Sequence, residues 1–193
     1  MDSTTYRVKI ELLEPLLGTT PKNQAIYTDY VASKAADAGL VEEELATVES
    51  IEQRGWTGFM SDESGSFIYN YLVKGFLCES ARTLKVFGPL KQLQDKFKRY
   101  VFVTPRRVRL PQIAGVLERP LRAQTAQGPR VCLARSDYVD AGAELSFTLE
   151  VLGVSGITAG CVQEVLSYGR LMGLGQWRSG SFGSFAVTSF EEV

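Results

Sequence analysis

The chain contains no histidine. That absence removes the commonest general base, the commonest metal ligand and the imidazole of Ser-His and Cys-His nucleophile pairs. Cysteine is scarce. Cys78, Cys132 and Cys161 are the only three, odd in number and without a Cys-x-x-Cys pair. Neither a disulfide framework nor a zinc site is expected from them; reduced, buried thiols in a cytoplasmic protein are. Long apolar runs are missing too, since none approaches the roughly 18 residues needed to span a bilayer. The first seventeen residues lack a basic stretch followed by an apolar one, so no secretory leader is expected. No metal, no cofactor and no membrane partner follow from this composition.

What is present suits a packed globular chain. Of 193 residues, 45% are hydrophobic and 22% charged, enough for a full core and a solvated surface. The net charge of −1 hides a strong asymmetry. Residues 37–64 carry Asp37, Glu42, Glu43, Glu44, Glu49, Glu52, Asp62 and Glu63 against Arg54 alone. Residues 96–135 carry Lys96, Lys98, Arg99, Arg106, Arg107, Arg109, Arg119, Arg122, Arg130 and Arg135 against Glu118 alone. Segregated charge means segregated potential, and the basic block favours a phosphate backbone or an acidic protein. Arginine dominates that block, and its planar fork suits bidentate phosphate contacts and stacking on bases.

Periodicity supplies the element order. Tyr6 to Leu12 alternates and reads as a strand. Asn23 to Ala38 and Val41 to Arg54 have helical spacing, the second strongly acidic, and each stops at a glycine. Trp56 to Tyr71 reads as a hairpin about Asp62-Glu-Ser-Gly65. Lys74 to Val86 is expected to be a helix, with a short one at Leu90 to Phe97. Strands follow at Tyr100–Thr104, Arg107–Leu110, Leu117–Leu121, Val131–Ser136 and Leu145–Leu152. A helix at Ile157–Leu171 and a strand at Phe182–Phe190 close the chain. This order predicts an α+β ferredoxin-like (RRM-like) core. Its sheet is antiparallel with the first strand beside the last, and it carries a β-rich insertion and a C-terminal glycine-rich loop. The expected organisation is one domain over 1–193, with an acidic helical insertion at 40–54 and a basic loop or hairpin insertion at 105–135.

Four constellations carry chemistry. The first is Tyr168 to Phe185, where Gly169, Gly173, Gly175, Gly180 and Gly183 alternate with Arg170, Trp177, Arg178 and Phe182. It is not a Walker A loop, because no Gly-Lys-Ser/Thr follows at the required spacing. Nor is it a dinucleotide fingerprint, because Gly173-x-Gly175 follows a helix rather than a strand. It reads either as a tight hairpin packed under Trp177 or as a phosphate cradle. In the cradle, Arg178 and backbone amides around Gly175 and Gly180 hold phosphate while Trp177 stacks on a base. The second is the Pro- and Gly-punctuated segment Glu118 to Arg130, which offers Arg119, Arg122 and Arg130 as donors. The third is Lys96 to Arg109, where Arg106 and Arg107 follow basic residues that alternate with Phe97, Tyr100 and Phe102. Those rings read as core or as a stacking surface. The fourth is the carboxylates Asp62, Glu63, Asp137 and Asp140, which suit turn chemistry as well as Mg²⁺.

The Tyr-Arg-Val-Lys-Ile opening strand, the ferredoxin-like order and the loop Gly173 to Gly183 before a last strand together resemble the RAMP superfamily. These are the guide-RNA-binding proteins of CRISPR effector complexes. The nearest group is the backbone subunits that polymerise along the guide. Val73-Lys-Gly-Phe-Leu-Cys-Glu-Ser-Ala-Arg82 resembles the helix of that group that opens after a strand with a basic residue near its start. The resemblance implies a non-catalytic protein that binds single-stranded RNA through Arg106, Arg107, Arg119, Arg122, Arg130, Trp177, Arg178, Gly175 and Gly180. It also implies self-association into a homo-oligomer. Under it, the segment around 118–130 lies where a hairpin would reach across nucleic acid. A second reading stays open. A virus-encoded anti-CRISPR inhibitor would dock on effector subunits by protein contacts, using the acidic residues Glu42, Glu43 and Glu44.

Overall fold

The computed structural model describes residues 2–22, 55–125 and 128–193, with the backbone alone over 121–132. Both helices expected between Asn23 and Arg54 lie outside these residues, and Glu42, Glu43 and Glu44 with them. The chain divides into two compact units, the first comprising residues 1–17, 60–113 and 139–193. The fold is mixed α+β with antiparallel sheets.

The first unit is organised by a four-stranded antiparallel sheet. Its strands are β1 (Ser3–Leu12), β7 (Val101–Thr104), β11 (Glu144–Leu152) and β12 (Phe185–Glu192), in the spatial order β12-β1-β11-β7. The first strand therefore lies directly beside the last, as the element order predicts. Alternation explains the register, since Tyr6, Val8, Ile10 and Leu12 of β1 are buried while Arg7 and Lys9 between them are exposed. Leu145, Phe147, Leu149 and Val151 repeat the pattern on β11, as do Val101 and Val103 on β7.

Among the described residues, three helices pack on the apolar face or on one another above it. Helix α1 (Asn70–Leu84) buries Val73, Phe76, Leu77 and Ala81, the spacing of one helical stripe. Helix α2 (Leu93–Tyr100) packs on α1 and leads into β7. Helix α3 (Ala159–Ser167) buries Cys161, Val162, Val165 and Leu166, also against α1. Thr158 caps α3, its Oγ1 accepting from the Cys161 amide at 3.4 Å. Each large apolar side chain buried in this layer contributes about 1.5–3 kcal/mol.

The single helix expected over Ile157–Leu171 is broken. A 3-10 turn spans Gly153–Ser155, and after α3 a short α4 (Gly169–Met172) follows. At the boundary a Cβ on Gly169 would collide with the Phe185 ring, so the chain passes that ring as bare backbone. Helix α1 starts at Asn70, four residues ahead of the periodicity. The Asn70 side-chain amide donates to the Val103 carbonyl at 2.6 Å and its backbone N–H to the Arg106 carbonyl at 2.9 Å. Long-range anchoring to β7 overrides the strand-like local sequence.

The rest of the first unit is β2 (Leu16–Leu17) and a three-stranded sheet of β5 (Met60–Asp62), β6 (Gly65–Tyr69) and β8 (Arg107–Arg109) in the order β5-β6-β8. The second unit holds β3 (Thr20–Pro21), β4 (Trp56–Gly58), β9 (Gly115–Thr125) and β10 (Gly128–Val139). Trp56–Gly58 thus joins a different sheet from the hairpin in which the sequence placed it: β4 runs parallel to β10 at Arg135 and Ser136. Strands β9 and β10 form one long antiparallel ladder, from Thr125 opposite Gly128 to Gly115 opposite Tyr138.

Candidate nucleic-acid interface

The glycine-rich loop owes its glycines to its own closure. Gly183 has φ +69°, and a Cβ on it would collide with the Leu174 carbonyl. The Leu174 amide donates to the Gly183 carbonyl at 2.8 Å, and the Gly183 amide to the Pro15 carbonyl at 2.9 Å. Gly175 has φ +76°, and a Cβ there would press on Leu16 Cδ1 at 2.8 Å. The Gly180 amide donates to the Trp177 carbonyl at 2.9 Å. These glycines let backbone pass backbone; the Gly180 amide is spent inside the turn and the Gly183 amide on Pro15.

The closure displays two side chains. Trp177 takes a left-handed conformation at φ 55°, unusual for a bulky residue, and opens the 3-10 turn Arg178–Gly180. Its indole stacks on Phe182 at 5.1 Å and 9° and is still 42% exposed. Arg178 is exposed and, among the described residues, makes no ion pair. The tight turn and the displayed cation and ring coexist in one element.

Across from this loop lies α1. A groove of about 190 Å³ runs between them. Tyr71, Gly75 and Glu79, one stripe of α1 at four-residue spacing, form one wall, and Gly173, Gly175 and Arg178 line the other side. Tyr71 is 63% exposed and stacks on Tyr69 at 5.3 Å and 20°. Tyr69 meets Phe67 edge-on at 5.3 Å, and the exposed Arg106 guanidinium lies 5.8 Å over the Tyr69 ring. Sequence reading missed Tyr69 and Tyr71, because their alternation with Phe67 looked like an ordinary strand end.

Arg107 and Arg109 have another partner. Both reach Asp62 at 2.6 Å, and their guanidiniums lie 5.0 and 5.6 Å over Phe67. The Arg109 hydrogen bonds, reinforced by the Ser64 amide and by Arg107, hold the Asp62 carboxyl well below the usual carboxylate range. Asp62 is therefore a charge partner for arginine.

The other predicted residues lie in the second unit. Arg119 and Arg122 are on β9 and Arg130 on β10, with Arg122 in register with Val131. Arg119 is only 9% exposed, and burial pulls its pKa down. Arg135 pairs with Glu118 at 2.8 Å without hydrogen-bond alignment of its Nε. Asp137 is buried at 4% exposure, with Lys22 Nζ at 2.7 Å and the Trp56 indole N–H donating at 3.3 Å. Among the described residues no group of His, Cys, Asp or Glu could hold a metal ion.

The third constellation splits. Phe97 is core on α2, Tyr100 is half-buried at its end and Phe102 is 46% exposed on β7. Lys74, the basic residue near the start of α1, is turned inward. It donates to the Phe97 carbonyl at 2.6 Å and to the Val101 carbonyl, closing the C-terminal end of α2. Burial lowers its pKa. Burial and Glu164 push the Cys161 thiol up to about 11.

No family model matches the chain, and no curated protein matches it by sequence. Among the described residues no helix is long and apolar enough to cross a membrane. The fold is shared with a chain of a cryo-EM structure of the Type III-B Cmr-beta complex bound to cognate target RNA, at 13% identity and a TM-score of 0.56. That alignment covers 99% of this chain and 61% of the solved one, so this chain spans about three fifths of its structural neighbour.

Proposed function

We propose that the chain is a non-catalytic, RAMP-type protein of CRISPR biology that binds single-stranded RNA. Its core is read as ferredoxin-like. The support is the strand order β12-β1-β11-β7 with α1 and α3 as the crossovers, which makes a βαββαβ path, and the likeness to a chain of an RNA-bound CRISPR complex. The observation that carries RNA binding is the glycine loop. It presents an exposed Arg178, without an ion pair among the described residues, beside the half-exposed Trp177. A cation and a ring on one turn suit a phosphate and its base, whatever the sequence. Arg106 adds charge on the same unit. The β9–β10 hairpin with Arg122 and Arg130 is read as a second contact to the RNA backbone. RNA or subunits of a CRISPR effector are the partners, self-association along the RNA is expected, and the setting is cytoplasmic.

Catalysis is not part of this reading, because no histidine or nucleophile motif is available to it. The test titrates the pure protein into a labelled single-stranded RNA and then runs the RNA on a gel after incubation with Mg²⁺. Saturable binding with intact RNA is expected. Turnover of the RNA that disappears in a point variant would overturn the non-catalytic reading. Retention of effector subunits without any affinity for naked RNA would transfer the function to the inhibitor reading.

A further inference from the structure

Strand β12 is an edge of the four-stranded sheet. Strand β1 pairs with it on one side, and among the described residues no strand lies on the other. The Leu13 amide donates to the Ser184 carbonyl at 2.8 Å, and the Val193 amide to the Thr5 carbonyl at 2.9 Å. Bonded and non-bonded pairs alternate along an antiparallel ladder. Phe185 and Val187 after the first contact, and Phe190 and Glu192 before the second, therefore turn their backbone groups to the open edge. Behind that edge a groove of about 630 Å³ separates β12 from α3 and α4. Leu166, Ser167 and Arg170 line its helix side, and β12 from Phe185 to Phe190 lines the other.

We infer that this edge is a two-fold interface with a second copy of the chain, β12 pairing antiparallel with the partner's β12. The bulge in β12 carries the argument. Val187 lies opposite Ile10 and Ser189 opposite Lys9, so Thr188 is an extra residue. Phe185, Val187, Phe190 and Glu192 lie opposite Leu12, Ile10, Val8 and Tyr6, and so share the helix side of the sheet. A two-fold ladder that sets Phe185 beside the partner's Glu192 and Val187 beside the partner's Phe190 matches face with face and open backbone groups with open backbone groups. In a strand without the extra residue, the same ladder would set inner residues against outer ones. The charges match in the same register. Arg170 stands at the start of β12, since its neighbour Gly169 abuts the Phe185 ring, and Glu192 stands at the end. Both are exposed, and among the described residues neither makes an ion pair. Pairing brings each Arg170 to the partner's Glu192, twice across the axis. Such a contact closes on itself and needs no RNA, unlike a head-to-tail association along a strand.

The test is sedimentation equilibrium of the RNA-free protein for the parent, Arg170→Glu, Glu192→Arg and the double variant. The parent is expected to dimerise. Each single reversal replaces two attractions by two repulsions and should weaken the dimer about tenfold or more, whereas the double variant should recover it. Equal melting temperatures of the dissociated proteins check that the fold is kept. Amide exchange supplies the register: the Phe190 and Glu192 amides should be protected in the parent dimer and exchange freely in the single variants. A parent that stays monomeric without RNA, single reversals that dimerise like the parent, or a double variant that does not recover would each overturn the interface. None of these outcomes bears on RNA binding, which the same proteins report separately.

Discussion

Two arginine-and-aromatic regions of the first unit look alike in composition and differ in what their charges do. On the β5–β6–β8 sheet, Arg107 and Arg109 converge on Asp62 and lie over Phe67. At the glycine loop, Arg178 sits on a turn closed by the Gly180 and Ser181 amides, and no described carboxylate pairs with it. The first region spends its charge on the fold, and the second leaves it exposed. Counting arginines in the sequence treats the two alike.

The largest effect should come from breaking the loop's closure. Gly183→Ala places a Cβ against the Leu174 carbonyl at a φ of +69°. Left-handed strain and overpacking together should cost about 2–4 kcal/mol. Calorimetry should show the Tm falling by about 5–15 °C. An unchanged Tm would mean the loop does not depend on that close approach.

Next come the two arginine classes themselves. Arg178→Ala should weaken RNA binding by about 1–3 kcal/mol and leave the Tm nearly unchanged, since a charged hydrogen bond to phosphate is lost and no internal pair is. Arg109→Ala should do the reverse: little change in RNA affinity, and a looser hairpin seen as faster amide exchange over residues 60–69. Equal losses of affinity from both variants would erase the distinction.

Asp62→Asn sharpens the comparison by converting one region into the other. With the carboxylate gone, Arg107 and Arg109 lose their anionic partner, and the hairpin should gain polyanion affinity, with a steeper salt dependence. The same pair predicts a pH effect. Its folded pKa is depressed, so its stabilisation is complete above the ordinary carboxylate pKa of about 3.9 and is lost as pH falls below it. The hairpin should open in acid before the four-stranded sheet does, and Asp62→Asn should remove that early step.

Much of the fold was legible because it follows periodicity. The alternation of Tyr6, Val8, Ile10 and Leu12, and of Leu145 through Val151, gave the central strands and their faces. What was hidden depends on contacts distant in sequence. Asn70 starts α1 early because it hangs on Val103, and residue 169 is glycine because Phe185 lies against it. Trp56–Gly58 leaves its hairpin because β10 offers a parallel edge. At the site, the exposure of Trp177 and Arg178 fits the composition of the loop. The arginines were harder: nothing local distinguishes Arg107, held by Asp62, from Arg106, which lies over a ring. Arg119 shows the same difficulty, since a basic residue in a Pro-flanked segment gives no sign that it will be buried. Tyr71 was missed because a strand-like sequence concealed a helix start.

The most direct test of the central claim is the salt dependence of single-stranded RNA binding by the parent protein, measured against Arg178→Ala. If phosphates are the ligand, log K should fall linearly with log salt, at roughly 0.7 per phosphate contact, and Arg178→Ala should flatten the slope by about one contact. An affinity that does not change with salt, or a slope identical in the two proteins, would contradict the account.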